Sequence, residues 1–144
     1  MSEHDRPADV VAQLLAGISE GRWHDLADLY AADAVAEQPL MAPRPGRVSG
    51  RDQIRAHFAA AATGPLRLRA RNVVVHVTSD PEVVIAEFDY EVHHSMTKRT
   101  TTAANVQVVR VRDGQIVATR DYHDHLRLAA VAGRAGDLAA ALAE

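Results

Sequence analysis

The clearest chemistry lies in the segment Asp121-Tyr122-His123-Asp124-His125, near the end of the chain. In a strand, residues two apart point to the same face, so Asp121, His123 and His125 share one side. A carboxylate beside an imidazole is typical of general acid–base catalysis, because it can orient the ring or itself accept a proton where burial raises its pKa. We predict that Asp121 is the acid–base group and His123 its partner. The alternative is that the two satisfy each other's hydrogen bonds inside a binding cavity.

A metal site is the other chemistry open to these three residues, because two histidines and one carboxylate form a known ligand set. His125 lies at the end of the predicted strand, where side chains usually meet solvent, so we predict no metal. The sequence contains no cysteine, which excludes disulfides, thiolate metal centres and a cysteine nucleophile.

Two amides are candidates for binding a substrate oxygen. Asn105 and Gln107 are two apart on the preceding strand, and their side chains can donate hydrogen bonds to a carbonyl or phenol oxygen. The alternative is that they form polar contacts between neighbouring strands.

The strand over residues 83–94 alternates apolar and acidic residues, with Tyr90 on the apolar side and Glu87 and Asp89 on the other. The apolar face of a half-buried strand turns inward. We therefore predict that Tyr90 offers its hydroxyl to the cavity and that the acids meet solvent or a dimer partner. The reverse orientation would place Glu87 or Asp89 in the pocket as acids.

The rest of the pattern predicts helices followed by strands. Apolar residues at helical spacing predict three N-terminal helices and an alanine-rich helical tail, and period-two alternation predicts long strands joined by a tight Asp113-Gly114 hairpin. The predicted helices are 8–19, 23–31, 52–62 and a tail over 126–144 broken at Gly133 and Gly136. The predicted strands are 34–38, one starting at 66 with a bulge at Arg71-Asn72, 83–94, 99–112 and 115–125, with a proline-rich loop near 39–46.

This order predicts an α+β fold, with three helices on one face of a curved antiparallel sheet and a conical cavity between them. We predict a single domain over residues 1–144, with a flexible N-terminus at 1–6. The apolar wall of the cavity would come from Leu14, Leu15, Ile18 and Phe58.

The composition excludes several classes of protein. The 144 residues are 47% hydrophobic and 24% charged, which is ordinary for a globular chain and excludes disorder, collagen and coiled coil. The net charge of −3 does not favour nucleic-acid binding. No apolar run reaches the roughly 18 residues of a membrane helix, and the N-terminus lacks a signal-peptide core. We predict a cytoplasmic protein that binds neither nucleic acid nor membrane.

Three stretches carry a resemblance to a known family. They are Trp23 to Val35, Gly50 to Ile54, and Val111 to Ile116 followed by Arg120 to Asp124. The chain resembles the nuclear transport factor 2-like superfamily, within it the SnoaL-like polyketide cyclases and the limonene-epoxide-hydrolase-like group. The resemblance implies a cone-shaped roll, a homodimer, and a pocket onto which the face of Asp121 points, with Thr119 alongside.

The same resemblance bears on individual site residues. Asp121 falls on the catalytic aspartate of the epoxide hydrolases, after an arginine and shortly after the hairpin. Gln38 stands where those hydrolases carry an asparagine, and Ala36 where they carry a tyrosine. Gln38 would therefore bind substrate through its amide.

The resemblance implies a cofactor-free enzyme, a cyclase, isomerase, dehydratase or hydrolase, acting on an apolar small molecule by acid–base catalysis. One alternative is a non-catalytic protein that binds an apolar ligand in the same cavity. Another is an adaptor that binds proteins through its sheet face, where Val106 and Val108 would contribute and Arg110 and Arg112 would interrupt the apolar patch.

Overall fold

The structure is a computed structural model that describes residues 6–144. Its helices and strands follow the predicted α+β order, helices first and a long-stranded sheet afterwards. The helices are α1 (Pro7–Ser19), a 3-10 helix (Trp23–Leu29), α2 (Arg51–Thr63), α3 (His125–Val131) and α4 (Ala135–Leu142). The strands are β1 (Tyr30–Gln38), β2 (Gly46–Ser49), β3 (Leu66–Val77), β4 (Val83–His94), β5 (Thr100–Arg112) and β6 (Gln115–His123).

The six strands form one curved, open sheet in the order β2-β1-β6-β5-β4-β3. β1 runs parallel to β6, and every other neighbouring pair is antiparallel. β6 therefore lies near the middle of the sheet, between a parallel and an antiparallel neighbour. The α+β prediction is confirmed, and this topology sets which side chains flank Asp121.

The core lies between α1 and the inner face of the sheet. Burial of an apolar stripe holds α1 there, and five of its large side chains are buried: Val10, Val11, Leu14, Leu15 and Ile18. On β4 the apolar set that includes Phe88 and Tyr90 is buried, whereas Glu87 and Glu91 are exposed. The predicted inward face of this strand is confirmed.

Backbone irregularities occur where the sequence predicted them. Asn72 adopts a positive φ of 55°, and the β3–β4 register shifts between Arg71 and Val74. The predicted bulge at this step is confirmed. Asp113 and Gly114 both have positive φ, 52° and 76°, as a two-residue hairpin turn of this sequence requires.

Several predicted boundaries are wrong. No strand was predicted between the loop near 39–46 and the helix at 52–62, whereas Gly46–Ser49 form β2, which pairs with β1. The second helix is a 3-10 helix that ends at Leu29, so Tyr30 opens β1 rather than belonging to a helix. Gly136 lies inside α4, and only Gly133, with φ of 73°, separates the two tail helices. The flexible N-terminus was predicted over 1–6, and residues 1–5 of it lie outside the described residues.

The strand β6 was expected to run to residue 125 but ends at His123. The Asp124 side chain accepts a hydrogen bond from the backbone N–H of Arg127 (3.0 Å), which caps the first turn of α3. This cap starts a helix in place of two further strand residues. His125 therefore belongs to α3.

The helix α3 is fixed to the end of the sheet by the β4–β5 turn. The Thr97 hydroxyl donates to the carbonyl of Val131 (2.7 Å), and Arg99 donates to that of Ala130 (3.2 Å). The backbone N–H of Thr97 in turn donates to Nδ1 of the buried His94 (3.1 Å). These bonds hold the end of α3 against the β4–β5 turn. No helix in residues 6–144 is long and apolar enough to cross a membrane.

We predict that Gly17→Ala destabilises the protein. A Cβ at Gly17 would collide with the end of the Leu26 side chain, which is itself buried in the core. Overpacking of this kind costs about 1–3 kcal/mol in the free energy of unfolding, measured by denaturant titration. The matched control is Gly136→Ala, also within a helix but with no atom near the new Cβ, which should be neutral or stabilising by up to about 1 kcal/mol. Equal effects of the two substitutions would contradict this packing argument.

Candidate active site

A row of polar side chains crosses the inner face of the sheet at its centre. Asn105 and Gln107 on β5 pair in register with His123 and Asp121 on β6. Asn105, Gln107 and Thr119 are buried, whereas Asp121 and His123 are half-buried. The sequence-predicted residues of these two strands therefore do come together on one face, and the face keeps some access to solvent.

The parallel strand β1 adds Gln38 to this row. Ala36 pairs with Thr119 and Glu37 with Arg120, so Gln38 lies level with Asp121. Residues at equivalent positions of neighbouring strands point to the same face. Asp121 is thus flanked by an amide-bearing residue on each neighbouring strand, Gln38 on β1 and Gln107 on β5.

The carboxylate of Asp121 is the least satisfied group in this cluster. Its Oδ2 accepts a hydrogen bond from the Thr119 hydroxyl (3.2 Å), whereas its Oδ1 is buried without a partner in residues 6–144. Burial raises the pKa of Asp121 to about 7, against the smaller opposing effect of the Thr119 hydrogen bond. Near neutral pH the carboxyl is therefore divided between its protonated and ionised forms.

His123 is held in a single orientation by Asn105. Its Nδ1 lies 2.8 Å from Oδ1 of Asn105, while the Asn105 amide nitrogen donates to the carbonyl of Ala103 (2.9 Å). Because that amide oxygen can only accept, Nδ1 of His123 donates and Nε2 is left as the acceptor. Burial lowers the pKa of His123 to about 4, with His125 and His57 acting in the same direction. His123 is therefore neutral above about pH 5.

The predicted direct pairing of Asp121 with His123 is not formed. Each bonds a different partner, Thr119 for the acid and Asn105 for the imidazole. Side chains two apart on one strand are farther from each other than directly opposed side chains on neighbouring strands.

His125 stands apart from the other two residues of the predicted trio. It opens α3, with its ring centroid 5.9 Å from that of His123 and its Nε2 buried without a partner in the described chain. Burial also lowers the pKa of His125. Between Arg6 and Glu144, no three histidine, aspartate or glutamate side chains are grouped to hold a metal ion.

Two buried tyrosines complete the cluster. The pKa of Tyr90 is raised, first by burial and then by the nearby charge of Asp121, and the same two causes raise the pKa of Tyr30. Tyr90 also lies near His123, with ring centroids 6.2 Å apart. Both phenols stay protonated at neutral pH, so each is a hydrogen-bond donor close to the carboxylate.

Sequence reasoning found Tyr90 and missed Tyr30. Tyr30 follows the 3-10 helix and begins β1, and its burial against Phe58 (centroids 5.9 Å) is a tertiary contact. The residue type of Tyr30 could have pointed to it, because a tyrosine in a chain with few aromatics usually occupies an important packing position.

The apolar wall forms only in part around this cluster. Leu14, Leu15 and Ile18 are buried in α1, and Phe58 of α2 stacks on Trp23 (centroids 6.3 Å). A groove of about 730 Å³ lies beside the ends of α1 and α2 and the start of β3. Ile18, Trp23, Leu68 and Val92 are among the residues that line this groove, and Asp121 is not. The groove therefore does not include Asp121, which was expected to line the pocket.

We predict that Asp121→Asn stabilises the protein in a pH-dependent way. A carboxyl whose pKa is about 7 in the folded protein and 3.8 for an ordinary exposed aspartate favours the folded state when protonated. That advantage is lost as pH rises from about 4 through 7. Asparagine carries no charge to bury. The increase in the free energy of unfolding of Asp121→Asn over the original protein should therefore be larger at pH 8 than at pH 5 by about 2–3 kcal/mol. Urea titrations at both pH values measure it. A gain that does not change with pH would contradict burial of the charge.

Comparison with known proteins agrees with the fold. Over 120 residues, 83% of this chain and 84% of the relative, the sequence is 29% identical to an uncharacterized PhzA/B-like protein of Pseudomonas aeruginosa. The structure is similar to the crystal structure of a proposed isomerase of Bacillus subtilis, with TM-score 0.84, 25% identity and coverage of 92% and 96% of the two chains. It is also similar to a proposed polyketide cyclase of Xanthomonas campestris, with TM-score 0.76, 20% identity and coverage of 90% and 98%.

A family profile gives the assignment. The SnoaL-like domain matches residues 11–119, which is most of the chain and includes every strand from β1 to β5. The resemblance noted in the sequence is thereby confirmed, as is the cone-type α+β fold that it implied. The chain belongs to the SnoaL-like domain family and shares the nuclear transport factor 2-like fold.

Proposed function

We propose that this protein is a cofactor-free enzyme that acts on an apolar small molecule by acid–base catalysis, with Asp121 as the group that moves the proton. The observation that carries the proposal is the buried carboxyl with one unpaired oxygen and a pKa of about 7. A catalytic acid or base works best when its pKa lies near the working pH. The similarity to a proposed isomerase and a proposed polyketide cyclase supports this class of reaction.

The surrounding groups support the proton transfer in distinct ways. Ionised Asp121 takes a proton from the substrate through Oδ1, and the protonated form returns it at another position. Tyr30 and Tyr90 donate hydrogen bonds to the substrate oxygen on which charge develops, and the amide of Gln38 does the same. Neutral His123, fixed by Asn105, presents Nε2 as an acceptor.

A protein that only binds a ligand is the second candidate. Apart from Asp121, the groups of the cluster are neutral at pH 7, and neutral hydrogen-bonding groups suffice to hold an apolar molecule. The two candidates differ in whether removing the carboxyl removes a reaction or only alters an affinity.

We predict that the protein accelerates the Kemp elimination of 5-nitrobenzisoxazole, a general probe for a buried base. In this reaction the base removes the ring C–H proton, the N–O bond breaks and a coloured cyanophenolate is released. The rate should rise with pH and reach half its maximum near pH 7, because only ionised Asp121 is a base. Asp121→Asn should lower kcat/KM by roughly 10²-fold or more.

Asp89→Asn is the matched control for that substitution. Asp89 lies on the outer side of β4, where its carboxylate accepts a hydrogen bond from Asn72 (3.1 Å), so its loss should leave the elimination unchanged. Turnover that survives in Asp121→Asn, or falls equally in both variants, would contradict the proposal and favour the binding protein.

We predict a smaller effect for His123→Ala. The imidazole assists without itself taking the proton, so its loss should lower the same kcat/KM by about 10²-fold at most. The half-maximum near pH 7 should persist, because Asp121 is unchanged. A pH profile that loses this midpoint would instead assign the titrating group to His123.

A homodimer through the outer face of the sheet and a cytoplasmic location also stay predictions. The outer face carries a shallow hollow of about 280 Å³, with Asp89, Val106 and Tyr122 among its lining residues. Its lining includes the acidic side chain of Glu87 as well as that of Asp89. This mixed surface is typical of a polar protein interface rather than of a large apolar adaptor patch.

A further inference from the structure

The groove of about 730 Å³ lies beside β3, which is the edge strand of the sheet. Its lining includes the four consecutive residues from Leu66 to Arg69, whose side chains alternate between the two faces of the strand. Side chains of both faces reach a groove at this edge, because β3 has a neighbouring strand on one side only. The groove therefore combines apolar and charged side chains, and Asp121 is not among them.

Two arginines of this groove have no ion-pair partner in residues 6–144. They are Arg67 and Arg69, both exposed and both on the same face of β3. The two carboxylates that also line the groove, Glu20 and Glu91, are already bonded to arginines outside it, at 2.7 Å and 3.1 Å. The charge that remains available to a ligand here is therefore positive.

The backbone of β3 supplies a further hydrogen-bond donor. The N–H of Ala70 donates to the Ser19 hydroxyl of α1 (2.9 Å), so it points away from the neighbouring strand β4. In an antiparallel pair, alternate residues direct their N–H groups to the same side. The N–H of Leu68 therefore also points out of the sheet at this edge, where an anion can accept it.

Apolar side chains make up another part of the lining. Ile18 of α1, Trp23 of the 3-10 helix and Val92 of β4 all contribute to it. The Trp23 ring is held in place by stacking on Phe58, with centroids 6.3 Å apart. Removal of a ligand's apolar surface from water against such a wall favours binding. A molecule with an apolar body and one anionic group matches both parts of the groove.

We infer that this groove binds a small organic anion, a carboxylate joined to an apolar body, with Arg67 and Arg69 holding the carboxylate. Guanidinium groups suit this role because their N–H groups can bond both oxygens of a carboxylate at once. The apolar body then lies against Ile18 and Trp23. This inference goes beyond the proposed function, because the groove does not include Asp121 and binding there needs no proton transfer.

The test uses octanoate and 1-octanol, which have carbon chains of equal length and differ in the charge of the head group. An apolar groove alone would favour the alcohol, because a carboxylate loses more hydration on burial. Trp23 is the only tryptophan of the chain, so a change in its fluorescence reports binding in the groove itself. We expect octanoate to bind at least roughly fivefold more tightly than octanol at low salt. That preference should shrink in about 0.5 M NaCl, because salt screens exposed charges.

The two arginines are tested together in the variant Arg67→Gln/Arg69→Gln. It should lose the preference for octanoate and keep its affinity for octanol within about twofold, which shows that the groove is intact. The matched control is Arg47→Gln, which removes an exposed arginine from β2, the edge strand on the opposite side of the sheet. This control should keep the preference.

Three results would overturn the inference. They are octanoate binding no more tightly than octanol, a preference that survives in the double variant, and a Trp23 fluorescence that neither probe changes. A preference that falls equally in Arg47→Gln would also overturn it, because the effect would then come from the overall charge of the protein. None of these measurements involves the elimination reaction, so their failure leaves the proposed role of Asp121 unaffected.

Discussion

The structure depends on one constraint, which is that a carboxylate is held inside the sheet with no positively charged side chain of residues 6–144 to neutralise it. Burial of an unpaired charge is costly, so such a group keeps its proton up to a higher pH than an exposed acid does. For Asp121 this brings the pKa to about 7. The core between α1 and the sheet stabilises the fold enough to tolerate the group, since natural proteins commonly accept local instability at a working site.

Charged side chains lie on the outer face of the sheet, and the side chains around Asp121 on the inner face are uncharged. The ion pairs that involve Glu82, Arg110 and Arg112 lie on the outer side of the sheet, where they are partly or largely exposed. Inside, tyrosines with raised pKa values and a histidine with a lowered one are all uncharged at neutral pH. The Thr119 hydroxyl and the Asn105 amide then orient Asp121 and His123, so both side chains are positioned by neutral hydrogen bonds.

The sequence predicted those features that depend on local periodicity. Alternation over residues 83–94 identified Tyr90 as inward, and the two-residue spacing identified the shared face of Asp121 and His123. What it could not supply is the register between strands that are far apart in the chain. That register makes Asn105 the partner of His123, and the parallel pairing of β1 with β6 brings Gln38 to the level of Asp121. Residues 124 and 125 could continue the strand or begin a helix, and periodicity alone does not decide between the two. The cap that Asp124 forms on α3 favours the helix and so removes His125 from the strand.

The most direct test of this account is the titration of the Asp121 side chain in the ligand-free protein. ¹³C labelling of aspartate, with Asp121→Asn to assign the signal, gives the midpoint of its carboxyl resonance between pH 3 and 9. The account predicts a midpoint about three units above the ordinary aspartate value, close to pH 7. A midpoint near 3.8, the value of an unperturbed carboxyl, would contradict it and show that solvent or a cation reaches the group.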